Sequence, residues 1–246
     1  MRLKYSLLWL SVAISPAVMA QEDPSDDWEG EAEVGLLITS GNSDETNLNT
    51  RLGLKHEIES WRNTLELRTL YSEADEETTS EKYLGEAETN YKFDERQFWF
   101  LRGAYEDDRF SGYRFQSSVT AGYGNRVWEL TEKSFLDLKA GAGYRYNKLY
   151  EPNDEGEEEE DGAVARFAGI FNYELSENAL FIQELSTEVG LQDDSSTISE
   201  SLTAIKANLI GNLAMKLSYR VKHESKVPAG TANTDTETAL SLLYGF

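Results

Sequence analysis

Thr236-Glu-Thr-Ala-Leu-Ser-Leu-Leu-Tyr-Gly-Phe246 ends the chain, and its alternation decides the fold. Thr238, Leu240, Leu242, Tyr244 and Phe246 fall on one face of an extended strand. Glu237, Ala239, Ser241 and Gly245 fall on the other, with Leu243 the exception. Successive side chains of a strand point to opposite faces. An apolar face backed by a small or polar one suits a strand with lipid outside and a polar lumen inside.

The same two-residue period runs back through the sequence, and no segment carries a helical stripe. Leu48, Thr50, Leu52, Leu54, His56 and Ile58 oppose Asn47, Asn49, Arg51, Lys55 and Glu57. Leu136, Leu138, Ala140, Ala142, Tyr144 and Tyr146 oppose Asp137, Lys139 and Arg145, and Leu213–Val221 opposes Lys216, Arg220 and Lys222 in the same way. Two stretches are ambiguous: Phe98 and Phe100 share a face with Arg102, and Gln183 sits among Phe181, Leu185 and Val189. Twelve strands are expected, at 28–39, 46–58, 61–72, 82–93, 97–106, 114–128, 133–147, 163–175, 179–192, 199–210, 213–225 and 236–246.

Their connectors alternate in length. Ser40–Glu45, Glu73–Glu81, Asp107–Tyr113, Lys148–Gly162, Asp193–Ile198 and Lys226–Asp235 are long, while Glu59-Ser60, Asp94–Arg96, Glu129–Glu132, Ser176–Asn178 and Gly211-Asn212 are short. An even strand count with alternating short turns and long loops predicts an all-β, transmembrane antiparallel β-barrel, its short turns periplasmic and its long loops outside. Trp28, Trp61, Phe93, Trp99 and Phe246 lie at short-turn ends, and Tyr71, Tyr83, Tyr105 and Tyr146 at long-loop ends. That places two aromatic girdles around a Leu/Val/Ala band.

Residues 1–20 read as a signal peptide: Arg2 and Lys4, then an apolar run over Tyr5–Ile14, then Val18-Met19-Ala20 for cleavage. A short acidic tail, Gln21–Asp27, then leads into the barrel at 28–246. No run reaches the ~18 apolar residues of a spanning helix, in keeping with a mean hydropathy of −0.55. The chain has no cysteine, so a closed hydrogen-bonded barrel and not disulfides must hold the exported domain. The formal net charge of −22 becomes −24 once Arg2 and Lys4 leave, which argues against nucleic acid as a partner.

Glu31-Ala-Glu-Val-Gly-Leu-Leu-Ile-Thr-Ser-Gly-Asn-Ser-Asp-Glu-Thr-Asn-Leu-Asn49 is a strand, a turn and a second strand. With Trp61-Arg62, Thr79–Tyr83 and the terminal aromatic, it resembles the salt-induced outer-membrane protein family over essentially the whole mature chain. That resemblance implies an outer-membrane β-barrel and brings no residue-level function with it. A strand ending on an aromatic also resembles the closing strand of bacterial outer-membrane barrels, whose last residue is read by the insertion machinery. Bacterial outer-membrane lipid and that machinery are the partners so implied.

Candidate chemistry is sparse. There are two histidines, His56 and His223, and both fall on the apolar face, away from any lumenal nucleophile. A Ser-His-acid triad needs imidazole within hydrogen-bond reach of both partners. The acidic run Glu151–Asp161 offers Asp154, Glu155, Glu157, Glu158, Glu159, Glu160 and Asp161 as oxygen ligands for divalent cations. Its spacing matches no Ca²⁺ loop, and like-charge runs are mostly solvated. No cofactor is expected.

The polar face carries the charges of interest: Arg51, Lys55, Arg62, Arg68, Lys92, Arg102, Lys139, Arg145, Arg166, Lys206, Lys216, Arg220 and Lys222 against Glu57, Glu66, Glu86, Glu88, Asp137, Glu174, Glu184, Glu188 and Glu237. These either line a polar pathway or pair across a narrow lumen and fill it. The leading expectation is a non-enzymatic envelope protein, as a narrow channel or a stress-linked barrel. The alternatives are a barrel enzyme acting on lipid or peptide, and a soluble periplasmic ligand-binding barrel with the faces inverted.

Overall fold

A computed structural model describes residues 27–39, 45–74, 77–152, 156–192, 195–228 and 230–246. The expected signal peptide and nearly all of the acidic tail lie outside the described residues. Twelve antiparallel strands close into one ring: β1 (Trp28–Thr39), β2 (Glu45–Glu57), β3 (Trp61–Ala74), β4 (Glu77–Lys92), β5 (Gln97–Asp108), β6 (Tyr113–Thr131), β7 (Ser134–Leu149), β8 (Glu159–Ser176), β9 (Ala179–Gly190), β10 (Thr197–Ile210), β11 (Leu213–Glu224) and β12 (Thr234–Gly245). Each strand pairs with the next, and β12 returns to β1 through Glu31↔Gly245 to Gly35↔Ser241.

The long hairpins reach further than alternation alone indicates. β3 and β4 continue to Ala74↔Glu77 past a bulge at Ser72/Glu73, where a loop over Glu73–Glu81 is expected. β8 begins inside the acidic run: Glu159, Glu160 and Asp161 pair with Lys148, Asn147 and Tyr146, so they are strand and not loop. The β7 edge offers a ladder there, and the Lys148 ammonium, 2.9 Å from Glu159, supplies the counter-charge that makes a run of carboxylates tolerable in a strand.

The faces fall as the alternation predicts. Val34, Leu67, Leu101, Leu138, Leu185, Leu217, Leu240 and Leu242 stand outward and exposed. Trp28, Trp61, Phe93, Trp99 and Phe246 crowd the short-turn rim, with Trp28 4.5 Å from His56 and Trp61 5.0 Å from Tyr91. Charged groups line the interior, which rules out an apolar-lined barrel with inverted faces. The ambiguous β5 resolves inward: Phe98 and Phe100 are 4% and 3% exposed. They lie on glycines of the neighbouring strands, where a Cβ at Gly124 would stand 2.3 Å from the Phe98 ring and one at Gly141 2.8 Å from Phe100. Arg62 and Lys139 cover those rings from above, at 5.1 Å and 5.9 Å from the centroids. β9 turns Gln183 outward with Phe181 and Leu185, and its amide finds Ser201 and Thr203 on β10.

Candidate functional site

The interior divides into a filled half and an open half. Along β4–β8, side chains from facing walls meet and exclude space. Arg102 reaches Glu86 at 2.6 Å and Glu188 at 3.1 Å, and Arg166 closes on the same Glu188 at 2.9 Å. Lys139 meets Glu88 at 2.5 Å, and Asp137 accepts from Arg126 at 2.7 Å with Arg62 at 3.8 Å. Thr120 and Asn90 are all but sealed between them. Here the charges are cross-links, as buried charges must be.

Near the long-loop rim the two halves are tied together. Lys222 on β11 meets Glu106 on β5 at 2.6 Å and Gln116 on β6 at 3.1 Å. Gln116 and Tyr113 in turn donate to Glu224 at 3.3 Å. Above them the loop after β5 touches the loop after β11, where a Cβ on Gly112 would lie 2.8 Å from Pro228.

Among the described residues, three cavities in series stay open along β1–β3 and β9–β12, the upper two also reaching the long-loop ends of β4 and β5 at Lys82, Glu106 and Asp108. A vestibule of 760 Å³ lies under the long loops, lined by Asn47, Ser72, Lys82, Asp108, Phe110 and Asn233 among others. A neck of 40 Å³ follows, between Arg68, Lys82, Glu106, Glu200, Arg220 and Lys222. A chamber of 180 Å³ lies deeper, with Glu31, Arg51, Glu66, Ile182, Lys206 and Lys216 in its wall. Asn49, Arg220 and Glu237 line all three. Asn49 donates to Glu237 at 2.5 Å, Arg220 lies 3.4 Å from Glu200, and Arg51 joins Glu31 at 2.9 Å to Glu66 at 2.7 Å. Lys206 pairs with Glu31, and Lys216 with Glu33.

Of the inward charges expected, Glu57 pairs with Lys55 and Lys92. Arg62, Asp137 and Lys139 lie in the filled half, and Arg51, Glu66, Arg68, Lys216, Arg220 and Lys222 line the open cavities. Glu31, Glu33, Lys82, Glu106, Glu200 and Glu224 belong there too and are missed by a reading that stops at the clearest stripes. Continued alternation finds them: Glu106 is two strand periods beyond Arg102.

Neither histidine faces the lumen. His56 stacks on Trp28, and His223 shares a 2.8 Å hydrogen bond with Thr234. Of the acidic-run candidates, Asp154 and Glu155 lie outside the described residues. Glu158 and Glu159 pair with Lys148 at 3.3 Å and 2.9 Å, Glu160 accepts from Tyr113 at 3.2 Å, and Asp161 accepts from Tyr144. Glu157 also has a partner. Among the described residues, no group of three or more His, Asp or Glu could hold a metal ion.

The chain is 28% identical over 220 residues to the uncharacterized protein YdiY of Escherichia coli (strain K12), covering 88% of this chain and 82% of that protein. Among solved structures it is similar to the translocator domain of autotransporter NalP from Neisseria meningitidis (TM-score 0.49, 11% identity, 89% of this chain and 86% of that one). It is also similar to the NanC porin (TM-score 0.48, 15% identity, 89% and 97%). At these scores the account of the fold rests on the strand ladders themselves. The resemblance carried by Glu31–Asn49 is borne out by a family match over residues 32–246, and the chain belongs to the family described as "Protein of unknown function, DUF481".

Proposed function

We propose that this barrel sits in the bacterial outer membrane and passes small polar solutes through a narrow, charge-lined conduit, without catalysis. The observation that carries the reading is the series of three cavities sharing Asn49, Arg220 and Glu237. A lumen meant only to be plugged has no reason to keep one wall open while its opposite wall is cross-linked shut. The outward Leu/Val band between aromatic rims supports the membrane placement. Twelve strands enclose an interior between the filled eight-stranded barrels and the wide porins, which suits slow passage of small solutes. The exposed Phe246 at the end of β12 is the feature the insertion machinery would read.

The neck sets the limit on flow. Arg220→Ala removes the longest side chain common to all three cavities, and in planar lipid bilayers it should raise single-channel conductance above the wild type's small steps. Wild-type and Arg220→Ala proteins that both insert and both fail to conduct would overturn the reading.

A further inference from the structure

The wall of the 180 Å³ chamber is formed wholly by described residues, and it holds one carboxylate unlike its neighbours. Glu31 meets Arg51 and Lys206, Glu33 meets Lys216, Glu66 meets Arg51 and Arg68, and Glu237 accepts from Asn49. Glu184 on β9 lines the same chamber. Among the described residues its carboxylate has neither a hydrogen-bond nor an ion-pair partner. The side chain is open to the lumen, so the group is accessible from the cavity.

Apolar neighbours stand where a counter-charge would be expected. Ile170 on β8 and Leu202 on β10 lie directly opposite Glu184 in the two ladders and share its inward face. Ile182 and Leu180 continue that face along β9 toward the short-turn end. With Ala204 beside Leu202 on β10, they give one wall of the chamber an aliphatic patch. Arg51 and Arg220 act on Glu184 only at a distance, because each is engaged elsewhere. Arg51 holds Glu31 and Glu66, and Arg220 lies 3.4 Å from Glu200. An unpaired charge among aliphatic side chains is costly unless water or a ligand meets it. The chamber has room for either.

These surroundings select the occupant. An anion finds the basic groups of the wall, Arg51, Arg68, Lys206, Lys216 and Arg220, already taken by carboxylates. A divalent cation needs several converging oxygen ligands, and no group of three or more acidic or histidine side chains among the described residues could supply them. A bare monovalent ion gains nothing from Leu180, Ile182 and Leu202. An organic ammonium with a short alkyl chain uses both features, its charge on Glu184 and its chain on the patch. Size agrees: a cavity of about 150 Å³ takes a benzene, so 180 Å³ takes an amine of about five heavy atoms.

We propose that this chamber binds a small monovalent alkylammonium, its ammonium on Glu184 and its chain on Leu180, Ile182 and Leu202. This solute class deepens the conduit reading and rests on it for access from solution.

The test is calorimetry on the full chain in lipid nanodiscs, with n-butylammonium as the probe. The wild type should bind n-butylammonium more tightly than methylammonium, by about fourfold for each added methylene that reaches the patch. Glu184→Gln keeps the shape and removes the charge, and should weaken n-butylammonium by about tenfold or more. Equal affinity for the two amines would mean a general cation site and overturn the proposal. So would n-butylammonium binding unchanged by Glu184→Gln, or no binding to the wild type. The chain-length series needs only the wild type, so it decides the matter even where the variant does not fold. Potassium chloride conductance of the same wild-type protein in planar bilayers separates the two readings. Current without amine binding removes this site and leaves the conduit; amine binding without current removes the conduit and leaves the site.

Discussion

Lys222 on β11 places its ammonium 2.6 Å from the Glu106 carboxylate on β5, a strand six places away around the ring of twelve. Two side chains from opposite walls therefore meet across the lumen, and a second cation, Lys82, holds the same carboxylate at 3.0 Å. This bridge separates the filled half from the cavities and narrows the neck from one side.

Breaking it should weaken the barrel and widen the neck together. Removing one partner of a buried pair costs about 3–5 kcal/mol when the other is left alone. Lys82 still holds Glu106, so Lys222→Met should fall below that range, and Glu106→Gln/Lys222→Met should recover part of the loss. Urea unfolding from lipid vesicles checks both, and a double variant less stable than the single would count against the bridge.

The register can be tested on β7 and β11. Leu138 is 46% exposed on the outer face, and Leu138→Arg should cost about 2–4 kcal/mol if it meets lipid near the midplane. Its neighbour Asp137 lies inward but is locked between Arg126 and Arg62, so Asp137→Arg would gather three guanidiniums and also be costly. Ser218, in the wall of the 180 Å³ chamber beside Glu66 and Glu237, is the better comparison. Ser218→Arg should cost clearly less than Leu138→Arg in the same unfolding assay.

Phe98 needs the bare backbone at Gly124. Gly124→Val drives branched methyls into the ring and should cost about 1–3 kcal/mol by overpacking. Phe98→Ala in the same chain should relieve most of the added penalty, giving a coupling that a double-mutant cycle reads directly. Additive losses would mean that the ring lies elsewhere.

Orientation follows from connector length. An epitope inserted at Gly156, in the loop between β7 and β8, should be labelled on intact cells, and one within Asp94–Arg96 should be labelled only after the outer membrane is breached. The reverse pattern would invert the barrel.

The sequence carried the barrel well and its lumen poorly. Two-residue alternation in β2, β7 and β11 depends only on which side chains tolerate lipid, so it puts Leu138 and Asp137 on opposite faces whatever their neighbours. β5 was opaque because Phe98 and Phe100 point inward, against the rule, onto glycines of β6 and β7 that only the fold brings beneath them. Glu159–Asp161 look like loop in the sequence because a carboxylate run signals solvent until Lys148 is placed opposite. The division into filled and open halves could not be foreseen, since it depends on pairs such as Lys222–Glu106 that are 116 residues apart.

Single-channel recording of Glu237→Cys and Thr120→Cys with a bulky cationic thiol reagent tests the conduit most directly. Glu237 lines all three cavities, while Thr120 is 0% exposed in the filled half. Modification should cut the current of Glu237→Cys in discrete steps and leave that of Thr120→Cys unchanged. A Glu237→Cys current indifferent to the reagent, or a block confined to Thr120→Cys, would place the path on the other wall and contradict the account.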